Sequence, residues 1–289
     1  MKEIENTIKK ICKDNLILDI PERVDTKFNK NRLFKTKDYY IKLYFNNKEK
    51  YFDNEYFIYN ELKKESFLPK LIKCGKYEDV KYIIITKIEA KTIFEIWENQ
   101  NDKIKEEIIK QMSLILKKIN NLRKRIDNGS FKKKIICEYY DAISNNEMSN
   151  ILLQKSEFFY KERINLIKNN EKLILTYPDF HFNNFLYDDS KVYIIDFESL
   201  QEAPLDYQIA SIVRMSKNPI IEAPKNINVN KREYEKIPEY FEKYYKCSED
   251  KRRIELYNFI YDMKAVKHKK ASEKIIEKDL KEYDFNGKI

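Results

Sequence analysis

The sequence predicts an α+β protein, with a small N-terminal lobe on an antiparallel sheet and a larger, mostly helical C-terminal lobe. Three observations predict it. Up to about residue 88, apolar runs of strand length come in pairs joined by polar dipeptides. Beyond Ile88, apolar residues recur at three-and-four spacing over long stretches. At 289 residues the chain is also long enough to bury a real core, as one large domain or two small lobes.

Each element has its own justification. Glu3–Lys13 sets Ile4, Ile8, Ile11 and Cys12 on one helical face. Arg32–Thr36 and Tyr39–Phe45 read as strands joined at Lys37-Asp38. Asn54–Glu65 reads as a helix with Phe57, Ile58 and Leu62 inward, and Pro69 forbids its continuation. Leu71–Tyr77 and Val80–Thr86 form a second strand pair around Glu78-Asp79. A hinge at 86–91 divides the chain into 1–88 and 89–289. Asp102–Arg125 is a long helix, with Ile104, Ile108, Ile109, Met112, Ile115, Leu116 and Ile119 on its apolar stripe. Ser149–Asn169 is a second long helix. Leu173–Thr176 and Val192–Phe197 are short strands flanking an irregular polar loop. From Asp206 onward the pattern is helical, with breaks expected at Pro219, Pro224 and Pro238.

Composition removes several classes of function. The three glycines, Gly75, Gly129 and Gly287, allow neither a GxxxxGK[ST] loop nor a GxGxxG fingerprint. No apolar run approaches the length of a membrane span, and the N-terminus has no apolar h-region of a secretory signal. The four cysteines (Cys12, Cys74, Cys137, Cys247) are dispersed without CxxC spacing, which suits reduced thiols in a cytoplasm. The net charge of +9 is spread over lysines interleaved with acids, and no RRM, KH or helix-turn-helix pattern supports a nucleic-acid partner. Such a field also attracts an anionic nucleotide.

Chemistry concentrates between residues 177 and 198. The stretch Tyr177-Pro178-Asp179-Phe180-His181-Phe182-Asn183-Asn184 places an acid and an amide in a loop between apolar strands. Ile194-Ile195-Asp196-Phe197-Glu198 then presents a second acid after an apolar run. Phosphoryl transfer to a hydroxyl needs these parts: one carboxylate to orient the hydroxyl and receive its proton, and an amide oxygen and a second carboxylate to hold Mg²⁺ on the phosphates. The plainer alternative makes Asp179 and Asn184 turn formers and Asp196 a cap. The position of Asp196 behind a strand-like run favours the chemical reading.

These motifs resemble those of the aminoglycoside phosphotransferase and choline kinase-like family, relatives of the protein kinases. The family's H-G-D-L-H-x-x-N loop and I-D-[FW]-E strand align with Tyr177–Asn184 and Ile195–Glu198, and Ala203-Pro204-Leu205-Asp206-Tyr207 resembles the segment that follows. The likeness runs in order through nearly the whole chain, strongest over 173–215. It implies a protein-kinase-like two-lobe fold, Asp179 as catalytic base, Asn184 and Asp196 as Mg²⁺ ligands, and ATP or GTP as co-substrate. Tyr177-Pro178 departs from the family's His-Gly, so Tyr177 must replace a bracing hydrogen bond or the loop is held differently. His181 matches a second family histidine, and a packed loop histidine accounts for it equally well.

In the N-terminal lobe, Tyr39–Tyr44 resembles the strand bearing the phosphate-binding lysine, here Lys42. Glu55 would supply its counter-charge, with Glu61 as competitor. A lysine pointing to water from an edge strand is the alternative for Lys42. Tyr40, on the same face by period two, would stack on adenine, and backbone groups of Thr86 and Ile88 would hydrogen-bond it. The loop over the phosphates would be Asp25–Asn31, with Lys30 as an optional contact. The acceptor is a small molecule with a hydroxyl, aminoglycoside-like or an amino alcohol. Glu198, Glu202, Asp206, Glu255 and Asp262 are its candidate partners, and Asp206 serves equally as a brace of the catalytic loop. A catalytically impaired nucleotide-binding regulatory module of the same fold is the alternative.

Overall fold

The structure is a computed structural model and describes residues 2–24, 32–45, 48–124, 130–144, 148–224, 227–245 and 250–281. The chain forms two compact units, Met1–Ile96 with Asn184–Leu200, and Trp97–Asn183 with Gln201–Ile289. No helix among the described residues is long and apolar enough to cross a membrane.

The first unit opens with α1 (Lys2–Asp14), followed by β1 (Glu22–Val24), β2 (Arg32–Lys35), β3 (Tyr39–Tyr44), α2 (Glu49–Glu61), β4 (Leu71–Tyr77) and β5 (Val80–Thr86). The strands form one antiparallel sheet in the order β1-β2-β3-β5-β4. Ile8, Ile11 and Cys12 of α1 bury against Phe34, Ile41, Leu43, Tyr82 and Ile84 on one face of it. Each such aliphatic side chain contributes roughly 1.5–3 kcal/mol by leaving water. Strand periodicity therefore turns Tyr40, Lys42 and Tyr44 to the opposite face, where Ile58 and Tyr59 of α2 are buried.

Both strand pairs match the sequence reading to within a residue or two. Helix α2 does not: it begins at Glu49 rather than Asn54, and ends at Glu61. Tertiary packing extends its start, because Phe52 meets the Tyr44 ring edge-on at 5.6 Å and stacks on Tyr56 at 6.1 Å. Glu55 thus lies inside the helix rather than at its opening. Strand β1 was not foreseen, since its short and exposed residues carry no apolar period and only backbone pairing with β2 orders them.

Next come β6 (Lys91–Thr92) and α3 (Ile93–Ile96), then the second unit with α4 (Asp102–Asn120), α5 (Phe131–Ile143), α6 (Asn150–Ile164) and β7 (Ile174–Thr176). Asn101 and Ser149 cap α4 and α6 by accepting from Ile104 N and Leu152 N. Both helices stop short of the sequence expectation, α4 at Asn120 and α6 at Ile164. The chain re-enters the first unit through β8 (Phe185–Tyr187) and β9 (Val192–Ile194), which make a three-stranded sheet with β6. That pairing places 184–200 in the same unit as the N-terminal strands.

The second unit resumes with β10 (Gln201–Ala203), paired to β7, and continues with α7 (Leu205–Lys217), α8 (Pro219–Glu222), α9 (Ile237–Tyr245), α10 (Lys251–Lys267) and α11 (Lys274–Lys281). Its core joins Phe131, Ile135 and Tyr139 of α5 to Phe159 of α6, Phe259 and Met263 of α10, and Ile276 of α11. Pro219 and Pro238 sit in the first turns of α8 and α9, so they start helices rather than break them. First-turn N–H groups have no intrahelical acceptor, and a residue lacking one is tolerated there.

Candidate active site

Strand β3 carries Lys42, flanked in register by Leu33 and Ile83. Its Nζ lies 2.5 Å from Oε1 of Glu55, 3.4 Å from Oδ1 of Asp196 and 3.8 Å from Oε1 of Glu198. Lys42 therefore points inward to carboxylates and not to water. Glu55, rather than the exposed Glu61, is its helical partner, and its side chain is fully buried.

Helix α2 also shapes the turn that presents Asp196. Asp196 follows β9 with φ at +65°, the left-handed region that costs a non-glycine residue about 1 kcal/mol or more. The surrounding bonds hold it there. Glu55 Oε1 accepts from Phe197 N at 3.1 Å, and Asn54 Nδ2 donates to the carbonyls of Glu198 at 2.8 Å and Leu200 at 3.0 Å. Ile195 N donates to Asn184 O at 2.9 Å, and the Phe197 ring meets Tyr59 edge-on at 5.7 Å.

The electrostatics follow from three carboxylates around one buried cation. Burial, with the charges of Asp196 and Glu198, raises the Glu55 carboxyl against the downward pull of Lys42, to about 8 in balance. For Lys42, burial alone favours the neutral amine, but Asp196 and Glu55 outweigh it and hold the ammonium well above its ordinary range. Lys42 is a cation in this setting, and the surplus of negative charge suits a divalent metal.

The donor set supports that fit. Carboxylate oxygens of Glu55, Asp196 and Glu198 lie within 4.8 Å of one another. Glu55 gives Oε1 to Lys42 and the Phe197 N–H and is fully buried, so Asp196, with 39% of its side chain exposed, is the accessible member. Asn184, buried in a single 3₁₀ turn at Phe182–Asn184, adds an amide oxygen to the same unit. Hard oxygen donors of this kind suit Mg²⁺.

Tyr40, half-buried, shares the sheet face of Lys42 and pairs with Ile85. The Thr86 N–H donates to Lys70 O at 2.9 Å, and its Oγ1 accepts from Lys70 N at 2.9 Å, so that N–H is closed to a ligand. Of the two Thr86 backbone groups, that expectation is left with the carbonyl. The Ile88 N–H makes no hydrogen bond among the described residues. The expected phosphate loop Asp25–Asn31, with Lys30, lies outside the described residues.

Asp179 belongs to the second unit, with 46% of its side chain exposed and Oδ2 at 3.6 Å from His181 Nε2. Gln208 on α7 answers the question posed by Tyr177. Its Oε1 accepts from Tyr177 N at 2.6 Å and its Nε2 donates to Tyr177 O at 2.8 Å, both in the core. A side-chain amide gripping backbone thus holds this loop from α7, and the Tyr177 side chain lies fully buried beside it. Nothing near Gln208 in sequence announces this role, because its partner lies 31 positions away.

The candidate acceptor carboxylates disperse. Glu198 faces Lys42, Asp206 is buried against Arg253 at 2.5 Å, Glu255 pairs with Arg163 at 3.1 Å, and Asp262 is buried beside Asp279. One acid that the sequence reading missed is Glu222. It accepts from Tyr261 Oη at 2.5 Å and faces Arg214 at 3.6 Å, and Arg214 feels the charge of Asp179.

No protein-family model matches the chain, and no curated protein sequence matches it. Solved structures match over nearly its full length. The aminoglycoside phosphotransferase APH(2″)-IIa, in a ternary complex with streptomycin and ATP, is 15% identical with a TM-score of 0.67, covering 94% of this chain and 93% of its own. The choline kinase LicA from Streptococcus pneumoniae is 17% identical with a TM-score of 0.62, covering 96% of this chain and 99% of its own. A choline/ethanolamine kinase family protein from Mesorhizobium loti is 12% identical with a TM-score of 0.61, covering 92% and 89%. The chain has the protein-kinase-like fold, an N-terminal antiparallel sheet with a mostly helical remainder. Within that class it has the fold of aminoglycoside phosphotransferases and choline kinases.

Proposed function

We propose that the protein is a phosphotransferase that moves the γ-phosphate of ATP or GTP to a hydroxyl of a small molecule. The observation that carries this reading is Lys42, held by Glu55 at 2.5 Å and reaching Asp196 at 3.4 Å on the face of the sheet that also bears Tyr40. A buried lysine fixed by a helix glutamate binds phosphates without a glycine-rich loop, which this chain cannot build. Tyr40 stacks on the base, and the Thr86 carbonyl and the Ile88 N–H read its edge. Asn184 and Asp196 hold Mg²⁺, which neutralises charge on the transferring phosphates when bound. Asp179 orients the acceptor hydroxyl and receives its proton, on a loop steadied by Gln208. The acceptor is an aminoglycoside-like molecule or an amino alcohol, and the protein works in a cytoplasm, which the free thiols of Cys12, Cys74 and Cys137 suit.

The test has two parts. Mg-ATP or Mg-GTP raises the melting temperature, and Asp196→Ala removes the effect. A coupled assay across aminoglycosides, choline, ethanolamine and amino alcohols finds the acceptor. Asp179→Ala then abolishes transfer while nucleotide binding persists. No nucleotide effect under any condition refutes the proposal, and unchanged turnover in Asp179→Ala removes it as the base.

A further inference from the structure

The segment after α1 displays three large aliphatic side chains to water. Leu16, Leu18 and Ile20 are 87%, 94% and 83% exposed, while Ile17 among them is buried in the core of the first unit. Single apolar residues on a surface need no explanation, but a contiguous set marks an interaction surface. The set is held in place by the end of α1. Ile17 N donates to Cys12 O at 2.9 Å, and Asn15 Nδ2 donates to Ile11 O at 2.8 Å. Leu16 sits in this cap at a φ of +57°, a position that favours glycine, so backbone strain accompanies the display of a leucine.

The same unit carries a receptor for such side chains. A groove of about 280 Å³ lies between the first half of α1 and the strands β1 and β2. Ile4, Ile8, Pro21 and Phe34 give it apolar walls, and Lys9, Arg23 and Arg32 outnumber Glu5 among its charged residues. The displayed segment has the opposite sign at its centre. Asp19, between Leu18 and Ile20, is exposed and makes no ion pair among the described residues, and neither does the exposed Lys9 of the groove. Leu18-Asp19-Ile20 is thus apolar and acidic where the groove is apolar and basic.

We infer that the first unit pairs with a second copy of this chain, each copy laying Leu16 and Leu18 in the other's groove and setting Asp19 against the other's Lys9. The groove residues of α1 lie roughly 10–18 Å back along the helix from Leu16, at 1.5 Å per residue. A two-fold axis across the middle of two antiparallel α1 helices therefore satisfies both contacts at once. The surface is small for an interface, so the pair forms weakly, at about 10–100 µM. An anionic lipid surface is a poorer occupant, because Asp14, Asp19 and Glu22 stand beside the aliphatic residues and such headgroups repel them. The inference stands apart from the phosphotransferase reading, since the pairing needs no nucleotide.

The experiment is sedimentation velocity of the full chain without nucleotide, from about 2 to 200 µM, and it shows a reversible monomer–dimer equilibrium. Leu18→Asp weakens the dimer roughly tenfold or more and leaves the melting temperature of dilute protein unchanged, because the side chain is exposed in the monomer. Leu16→Gly also weakens the dimer, yet it keeps or raises that melting temperature as the left-handed cap is relieved. Asp19→Lys and Lys9→Asp each weaken association about tenfold. An equimolar mixture of these two variants restores it, since across a two-fold axis each reversed charge meets its opposite. A chain that stays monomeric at about 200 µM, a dimer that Leu18→Asp leaves unchanged, or a mixture of the two charge variants that stays weakened overturns the inference. Leu18-dependent pelleting with phosphatidylserine vesicles by a chain that stays monomeric overturns it in favour of a lipid surface.

Discussion

Asn54→Ala removes the side chain that ties α2 to the turn carrying Asp196. Its Nδ2 donates to the carbonyls of Glu198 at 2.8 Å and Leu200 at 3.0 Å, and the residue is only 1% exposed. Both carbonyls lose their partner where water enters poorly. A buried acceptor left unsatisfied costs about 1–3 kcal/mol, so two of them cost about 2–4 kcal/mol when the space left by the side chain admits one water. Urea unfolding of wild type and variant measures this as a lower midpoint at unchanged m-value. The same variant releases the left-handed backbone at Asp196, so Mg-ATP raises its melting temperature less than that of the wild type. A stability loss below about 0.5 kcal/mol would refute the claim that Asn54 anchors the turn. A full loss with an undiminished Mg-ATP shift would refute its link to nucleotide binding.

Gln208→Ala breaks both backbone bonds to Tyr177 in the core, so it costs about 2–4 kcal/mol in urea unfolding and lowers turnover of whichever acceptor the coupled assay identifies. Stability within about 0.5 kcal/mol of wild type would show that something else braces the loop. Glu55 carries a pH signature. Its folded value is raised from the ordinary 4.5 to about 8, so the native state resists ionising it and stability falls as pH rises through that window. Lys42, held well above its own ordinary value, stays cationic throughout and adds no slope there. Glu55→Gln flattens the wild-type decline between pH 5 and 8; identical slopes in chemical denaturation would remove Glu55 as its source. At Gly75 a Cβ would stand 2.8 Å from Tyr82 Oη and 2.9 Å from its Cζ, so Gly75→Ala costs about 1–3 kcal/mol as the ring is displaced. Gly75→Ala combined with Tyr82→Phe recovers part of that loss, and no recovery would place the strain elsewhere.

Much of the site was legible before any coordinates. The strands on either side of Lys37-Asp38 and Glu78-Asp79 are short, apolar and alternating, and strand period alone turns Tyr40 and Lys42 to one face. What escaped were interactions between residues far apart in sequence. Asn54 reads only as the first residue of a helix, yet it holds a turn some 146 positions away. Gln208 reads as one more polar residue of an amphipathic helix, and only the closing of α7 on β7 reveals its grip on Tyr177. The surroundings of the acids proposed for the acceptor were hidden for the same reason. Asp206, Glu255 and Asp262 each have a partner brought near by packing, and spacing in the chain says nothing about it.

The sequence by itself determined the order of elements, the absence of a glycine-rich phosphate cradle, and the candidate set Lys42, Glu55, Asp179, Asn184 and Asp196. Those are statements about residue type and period, which local sterics and hydrophobic patterning set. Only the tertiary structure decided that Glu55 and not Glu61 meets Lys42, that Asp196 is held in the left-handed region, and that Glu198 faces the lysine. Each of these depends on where aromatic packing starts α2 and which backbone groups α2 can reach, and such long-range choices are made when the core closes.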